Sequence, residues 1–319
     1  MDAGRVRSEP NSGGREHGTL PGTDGLVLAR DGRRLRLQEW GQPHGAPVFL
    51  LHGTPGSRLG PRPRPAVLYA QGIRLIAYDR PGYGDSDRLP GRRVADAAAD
   101  MEDIADHLGL STFAVVGRSG GAPHALAGAA LLPDRVTRVA GLANIAPPDA
   151  DGLDWYADMT PSNARTYSAA RLGYAELTRS MEDALAQVDA APTGSLPFGD
   201  TELAAADEAV IADFGIKRML STSFAESLRG SLTGWIDDTI AFSTPWEFDP
   251  ASIKVPTLLW HGRDDIFSPV SHTFWLSRKI KNASVLIDPG AAHFGAVNVL
   301  SRTLRWATTG GPLADEGYA

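Results

Sequence analysis

Three residue types, far apart in the chain, could together hydrolyse an acyl bond: a serine at 119, a carboxylate at 264 or 265, and a histidine at 293. A serine hydroxyl is a weak nucleophile until a base takes its proton, and the base works best when a third group fixes its tautomer. Ser119 lies in Gly117-Arg118-Ser119-Gly120-Gly121. This stretch follows the apolar run Phe113-Ala114-Val115-Val116 and precedes a helix-like run over 123–132. A strand, a G-x-S-x-G turn and a helix in that order describe a nucleophile elbow: a turn so sharp that the serine is strained and its neighbours must be small.

The same edge of a sheet must present the other two groups. Leu258-Leu259-Trp260 runs into His261-Gly262-Arg263-Asp264-Asp265, so a carboxylate follows directly on a strand. His293 closes the small-residue stretch Pro289-Gly290-Ala291-Ala292-His293, which follows the apolar run 284–287. Apolar or β-branched runs at 26–29, 35–40, 48–51, 73–78, 113–116, 136–145, 255–260 and 284–287 alternate with helical patterns at 94–110, about 270–280 and 295–307. That alternation predicts a mostly parallel eight-stranded sheet with helices on both faces, led by an antiparallel hairpin turning at Asp31-Gly32. In 94–110, Val94, Ala98, Met101, Ile104, Ala105 and Leu108 share one face. Asp96, Asp100, Glu102, Asp103 and Asp106 read as its solvated side.

The alternation stops between Pro147-Pro148 and Pro250. Helical stretches at 164–177, 181–188, 201–214 and 224–232, rich in aromatics, predict a helical cap over 148–250. The core takes 23–147 and 251–308, with loose tails at 1–22 and 309–319. Of the cap aromatics Trp155, Tyr156, Tyr167, Tyr174, Phe214, Trp235, Trp246 and Phe248, most should be cap core and one or two should line a pocket.

Bulk composition narrows the partners. The 319 residues carry a net charge of −7, which weighs against nucleic acid, and no run is apolar for the roughly 18 residues a membrane span needs. With no cysteine there is no disulfide, thiolate catalyst or Cys-based zinc site, which suits a cytoplasmic protein. No histidine pair has metal-ligand spacing, and the glycines form neither G-x-G-x-x-G nor a Walker pattern, so neither a metal nor another cofactor is expected. A small-molecule substrate and a monomer or homodimer are expected.

With these motifs in place the sequence resembles the α/β-hydrolase superfamily over about residues 24–307. The order Ser119, Asp265, His293 is the order of that family. His52-Gly53-Thr54-Pro55-Gly56 looks like its oxyanion-hole loop. Asp79-Arg80-Pro81-Gly82-Tyr83-Gly84-Asp85-Ser86 looks like the loop after its fourth strand, and the stretch from Gly262 through Asp265 to Pro269 looks like its acid loop. The resemblance implies an α/β-hydrolase fold with a helical cap, with Asp265 rather than Asp264 as the acid. It also implies an oxyanion hole made by the backbone N–H groups of Thr54 and Gly120.

Several assignments stay open at this level. Arg118 could contact a substrate carboxylate or carbonyl, or pair with a carboxylate of a loop or the cap. Arg58, Arg62 and Arg64 read as solvated surface. Among the other histidines, His52 reads as structural and His124 as packing, and His107 and His272 as helix surface. His261 could approach the site. A serine nucleophile argues against the family's epoxide hydrolases and haloalkane dehalogenases, which use aspartate there. An esterase or lactonase is the expected activity. A proline-type aminopeptidase, a carbon–carbon bond hydrolase, and a biosynthetic or ligand-binding use of the fold are its rivals. The aminopeptidase would need carboxylates such as Glu202, Asp207, Glu208, Glu226, Asp237 or Asp238 to hold a substrate amino group.

Overall fold

The structure, a computed structural model, describes residues 22–189 and 202–311. The expected N-terminal tail, apart from Gly22, and residues 312–319 of the expected C-terminal tail lie outside the described residues, as does Thr201 of the stretch expected to be helical over 201–214.

Strands β1 (Thr23–Leu28), β2 (Arg34–Gly41), β3 (Ala46–Leu51), β4 (Ile73–Tyr78), β5 (Phe113–Arg118), β6 (Val136–Leu142), β7 (Thr257–Gly262) and β8 (Ala283–Asp288) form one sheet, in the order β1-β2-β4-β3-β5-β6-β7-β8. The first two strands are antiparallel to each other and β2 is antiparallel to β4; every later pairing is parallel. The expected eight-stranded, mostly parallel sheet is therefore present. Its central strands read as unbroken apolar runs because both of their faces are covered: every residue of β5 and of β7 is buried.

Alternate strand residues face opposite layers. Phe49, Leu51, Phe113 and Val115 pack with helices α2 (Ala97–His107) and α3 (Gly121–Leu131). Val48, Leu50, Ala114 and Val116 pack on the other face with Leu68 of α1 (Pro65–Ala70), and with residues of the helices over Gly295–Asn298 and Leu300–Thr309. That last helix covers Thr309, where a loose tail was expected to begin. The acidic side of α2 is not uniformly solvated. Asp100 is buried and accepts from Arg33 at 2.8 Å, because the β1–β2 hairpin folds over it, while Glu102 and Asp103 pair with Arg30.

Between β6 and β7 the described residues hold five α-helices, α4 (Pro161–Leu172), α5 (Tyr174–Asp189), α6 (Ala205–Ile211), α7 (Phe214–Ser227) and α8 (Thr233–Phe242). The helix expected across 164–177 is cut at Gly173, whose φ of 115° ends α4. The stretch at 224–232 is only the end of α7. Helix α8 escapes a periodicity reading because Asp237 and Asp238 sit among its apolar residues and are themselves buried. Ala169, Leu177, Met181 and Ile236 give this insertion a small core of its own. Leu220 of α7 packs with Phe267 and Phe294, which joins the insertion to the loops after β7 and β8.

Candidate active site

The turn after β5 explains its glycines. Ser119 has φ 54°, a left-handed conformation that non-glycine residues rarely adopt. Its N–H donates to Leu142 O at 2.7 Å and its carbonyl accepts from Ala122 N–H at 2.8 Å, so strand and helix are tied across the strained residue. A Cβ on Gly117 would stand 2.2 Å from Gly121 O, and one on Gly121 would stand 2.3 Å from Leu51 O. Any side chain at either place would force the elbow apart.

Ser119 Oγ lies 3.0 Å from His293 Nε2, and His293 Nδ1 lies 2.8 Å from Asp265 Oδ2. With Nδ1–H donating to the carboxylate, Nε2 is free to accept the serine proton. The other oxygen of Asp265 accepts from the N–H groups of Phe267 and Ser268, both at 2.9 Å. Burial alone would raise the Asp265 pKa. The neighbouring His293 and hydrogen bonds from His261 and His293 outweigh it and hold the carboxyl well below the usual carboxylate range. Asp264 is exposed.

Two residues support this relay that the sequence alone did not assign to it. His261 Nε2 lies 2.6 Å from Ser268 O and 3.1 Å from Asp265 Oδ2, while its Nδ1 lies 2.6 Å from Thr273 Oγ1. The ring therefore bridges α9 (Ser271–Lys279) to the acid loop. Asp207, on α6 of the insertion, accepts from the backbone N–H of Phe294 at 2.6 Å and of His293 at 3.2 Å. Burial pushes its pKa up to about 6 against the opposing pull of His293 and the Phe294 N–H. His261 stood out as a histidine at a strand end. Nothing in the sequence separated Asp207 from the other acids of its segment.

Thr54 and Gly120 face each other: a Cβ on Gly120 would lie 3.1 Å from Thr54 N and closer still to its hydroxyl. Neither backbone N–H donates to another group among the described residues. The Thr54 hydroxyl donates to Asp238 at 2.6 Å, and the Thr54–Pro55 peptide is cis.

Asp238, fully buried on α8, also binds Arg80 at 2.6 Å, Arg92 at 2.5 Å, Tyr83 OH at 2.9 Å and His124 Nε2 at 3.1 Å. Arg80 reaches on to Gly53 O at 3.1 Å, so this carboxylate organises the loop that holds Thr54. Burial would raise the Asp238 pKa, but the two guanidiniums hold it well below the usual range. His124 packs as expected, its ring 5.5 Å from that of Phe242, and it also joins this cluster through Nε2. His272, expected on a surface, is buried between Ala146 N–H and Trp155 O, at 3.0 and 3.1 Å, because α9 lies under the start of the insertion. Arg58, also expected on the surface, is buried and binds Asp79 and Glu226. Arg62 lies over the Trp40 ring at 4.1 Å, while Arg64 is exposed.

A cavity of about 140 Å³ opens in front of Ser119 and His293. Residues of the insertion close it, among them Tyr167 and Trp235, two of the aromatics from which pocket-lining residues were expected. Trp246 and Phe248 belong to the main core, and Phe214 is 78 % exposed. Arg118 lines the cavity and is 9 % exposed. No carboxylate among the described residues pairs with it, so the alternative of a salt bridge to a loop or the insertion is not realised there. Burial alone lowers its pKa to about 10, leaving it cationic at neutral pH.

Residues 46–298 match the family model described as alpha/beta hydrolase fold. A proline iminopeptidase of Xylella fastidiosa (strain 9a5c) is 27 % identical over 297 residues, covering 86 % of this chain and 91 % of that one. A non-heme haloperoxidase of Rhodococcus erythropolis is 29 % identical over 272 residues, covering 84 % and 92 %. Among solved structures, an esterase from Rhodococcus sp. ECU1013 superposes with a TM-score of 0.63 at 20 % identity, covering 90 % of this chain and 99 % of that one. Among the described residues no helix is long and apolar enough to cross a membrane.

Proposed function

This chain belongs to the α/β-hydrolase family, and on that premise we propose that it is a serine hydrolase cleaving a small or medium carboxylic ester or lactone through an acyl-enzyme. The observation that carries this reading is the hydrogen-bonded line from Asp265 through His293 to Ser119, open at its serine end to a cavity closed by helices of the insertion. In this reading those helices act as a cap that selects the acyl group.

Ser119 Oγ bonds to the carbonyl carbon while His293 takes its proton, with Asp265 stabilising the imidazolium. The N–H groups of Thr54 and Gly120 bind the oxyanion, each worth about 3 kcal/mol of barrier. His293 gives the proton to the alkoxide leaving group; a water, deprotonated by the same ring, then attacks the acyl carbon, and the ring returns that proton to Ser119 Oγ as the C–Oγ bond breaks and the acid is released. Because both oxyanion donors are backbone groups, substituting Thr54 acts only through the position of its loop.

The aminopeptidase reading needs a free carboxylate at the cavity, and the candidates are engaged elsewhere or face solvent. Glu202 accepts from Ser162, and Asp207 from the His293 loop. Glu226 and Asp237 hold Arg58 and Arg88, Asp238 lies in its own cluster, and Glu208 is exposed.

Turnover of p-nitrophenyl esters from acetate to decanoate, wild type against Ser119→Ala, tests the proposal. Ester hydrolysis is expected to fall about 10³-fold or more in the mutant. Full activity in Ser119→Ala would end the acyl-enzyme reading. Cleavage of L-proline p-nitroanilide in preference to every ester would replace the esterase with the aminopeptidase.

A further inference from the structure

Among the described residues that line the cavity in front of Ser119, Arg118 is the only arginine, and there is no lysine, aspartate or glutamate; the other titratable side chains are the His293 imidazole and the Tyr167 phenol, which burial keeps neutral. It is nine-tenths buried, and no hydrogen bond or ion pair occupies its guanidinium among the described residues. Its Nη2 lies 3.7 Å from where Gly53 would carry a Cβ, which places the group beside the oxyanion loop. It also borders a small hollow beneath that loop, where the other two arginines are already used: Arg58 by Asp79 and Glu226, Arg62 by the carbonyls of Leu59 and Gly60.

An unpaired buried cation destabilises a fold, and an apolar side chain of similar length would fill the same space without that cost. What the guanidinium adds is a planar fork of donors matched to a carboxylate, held with little motion and little competing water. We propose that Arg118 is a receptor for a carboxylate, so that the substrate of this site is an acidic ester: a hemiester, or an ester whose alcohol bears the acid group, with the carboxylate close to the reacting carbonyl. This rests on the reading of Ser119 as the nucleophile of an ester hydrolase. The bonds made and broken are those of ester hydrolysis; the second carboxylate takes no part in them and fixes the orientation of the reacting carbonyl.

Two matched substrate pairs test it. Mono-p-nitrophenyl glutarate against p-nitrophenyl valerate places the charge on the acyl side; 4-carboxyphenyl valerate against 4-acetylphenyl valerate places it on the alcohol side. In wild type at least one charged member is expected to have the higher kcat/KM. Arg118→Met should lower the charged-to-neutral ratio of that pair about 10- to 100-fold, and Arg118→Lys less. A ratio is used because general damage to the site lowers both members alike. Ratios unchanged between wild type and Arg118→Met in both pairs overturn the proposal. If folded wild type hydrolyses no ester, the esterase reading fails separately, and calorimetric binding of glutarate and of benzoate at low salt decides the question of Arg118. Binding weakened about tenfold or more by Arg118→Met supports the receptor. Equal affinities, or no binding by wild type, overturn it.

Discussion

Two buried electrostatic regions meet near the Ser119 turn and follow opposite rules. Around Asp238, two arginines, a tyrosine, a histidine and a threonine converge on one carboxylate, so each buried charge faces its opposite. A few residues away Arg118 is buried as well, with no counter-charge. The first arrangement spends its charges on architecture: it pins α8 of the insertion to the loop at Gly53 and Thr54, to the 79–86 loop and to α3. The second leaves its charge for whatever enters the cavity. Burial is common to both, so it does not separate a structural charge from a functional one. The presence or absence of a partner does.

The sharpest way to break the comparison is to remove the centre of the paired region. Asp238→Asn leaves Arg80 and Arg92 buried without an anion and should cost about 3–5 kcal/mol of unfolding free energy, read from urea denaturation. A loss below about 1 kcal/mol would mean that water or a shift of α8 satisfies both guanidiniums, and the cluster would not be the clamp inferred here.

Asp207 comes next, because it is also paired but only to the backbone of the His293 loop. An asparagine there presents one acceptor and an NH₂ to two N–H donors. Asp207→Asn should therefore reduce kcat about 10-fold or more, with a smaller change in KM. The sign of its pH effect follows from a pKa raised to about 6. Above that pH both oxygens accept; as pH falls through about 6 one becomes O–H and opposes an N–H, so wild-type activity should fall there through the loop. In Asp207→Asn the acid limb should lose one proton of steepness. An identical limb in both proteins would restrict Asp207 to a purely structural role.

The strands and the elbow were legible because their signals are local: an apolar run, then glycines where backbones approach within about a van der Waals diameter. Ser119, Asp265 and His293 each follow a strand, and the order of strands alone brings their edges together. The insertion was less legible. Helix α8 carries buried acids whose partners, Arg80, Arg88 and Arg92, lie some 150 residues earlier in the chain, and no window of sequence shows that pairing. Asp207, Asp237 and Asp238 look alike in sequence and have three different duties in space. His272 was misplaced, and the contact of His124 with Asp238 missed, for the same reason. Their burial is decided by segments that are remote in the chain: α8 for one, the start of the insertion for the other.

Arg118 sharpens the comparison by inverting its sign. Where Asp238→Asn destabilises, Arg118→Met should stabilise, by about 1–2 kcal/mol, since it replaces an uncompensated buried cation with an apolar side chain of similar reach. Thermal unfolding in ligand-free buffer measures it, and a lowered Tm would mean that the guanidinium already has a compensating partner. The smallest effect belongs to a third kind of pair, Arg88 with Asp237, which is bidentate at 2.7 and 2.8 Å but leaves the arginine side chain 33 % exposed. Solvent screens such a pair, so a double-mutant cycle on Arg88→Ala and Asp237→Ala should give a coupling of only about 0.5–1 kcal/mol, shrinking as salt is raised. A coupling as large as the Asp238 loss would mean that bidentate geometry, rather than the exclusion of water, sets the strength of these contacts. The contrast between the paired and unpaired arginines would then have to be drawn in terms of shape.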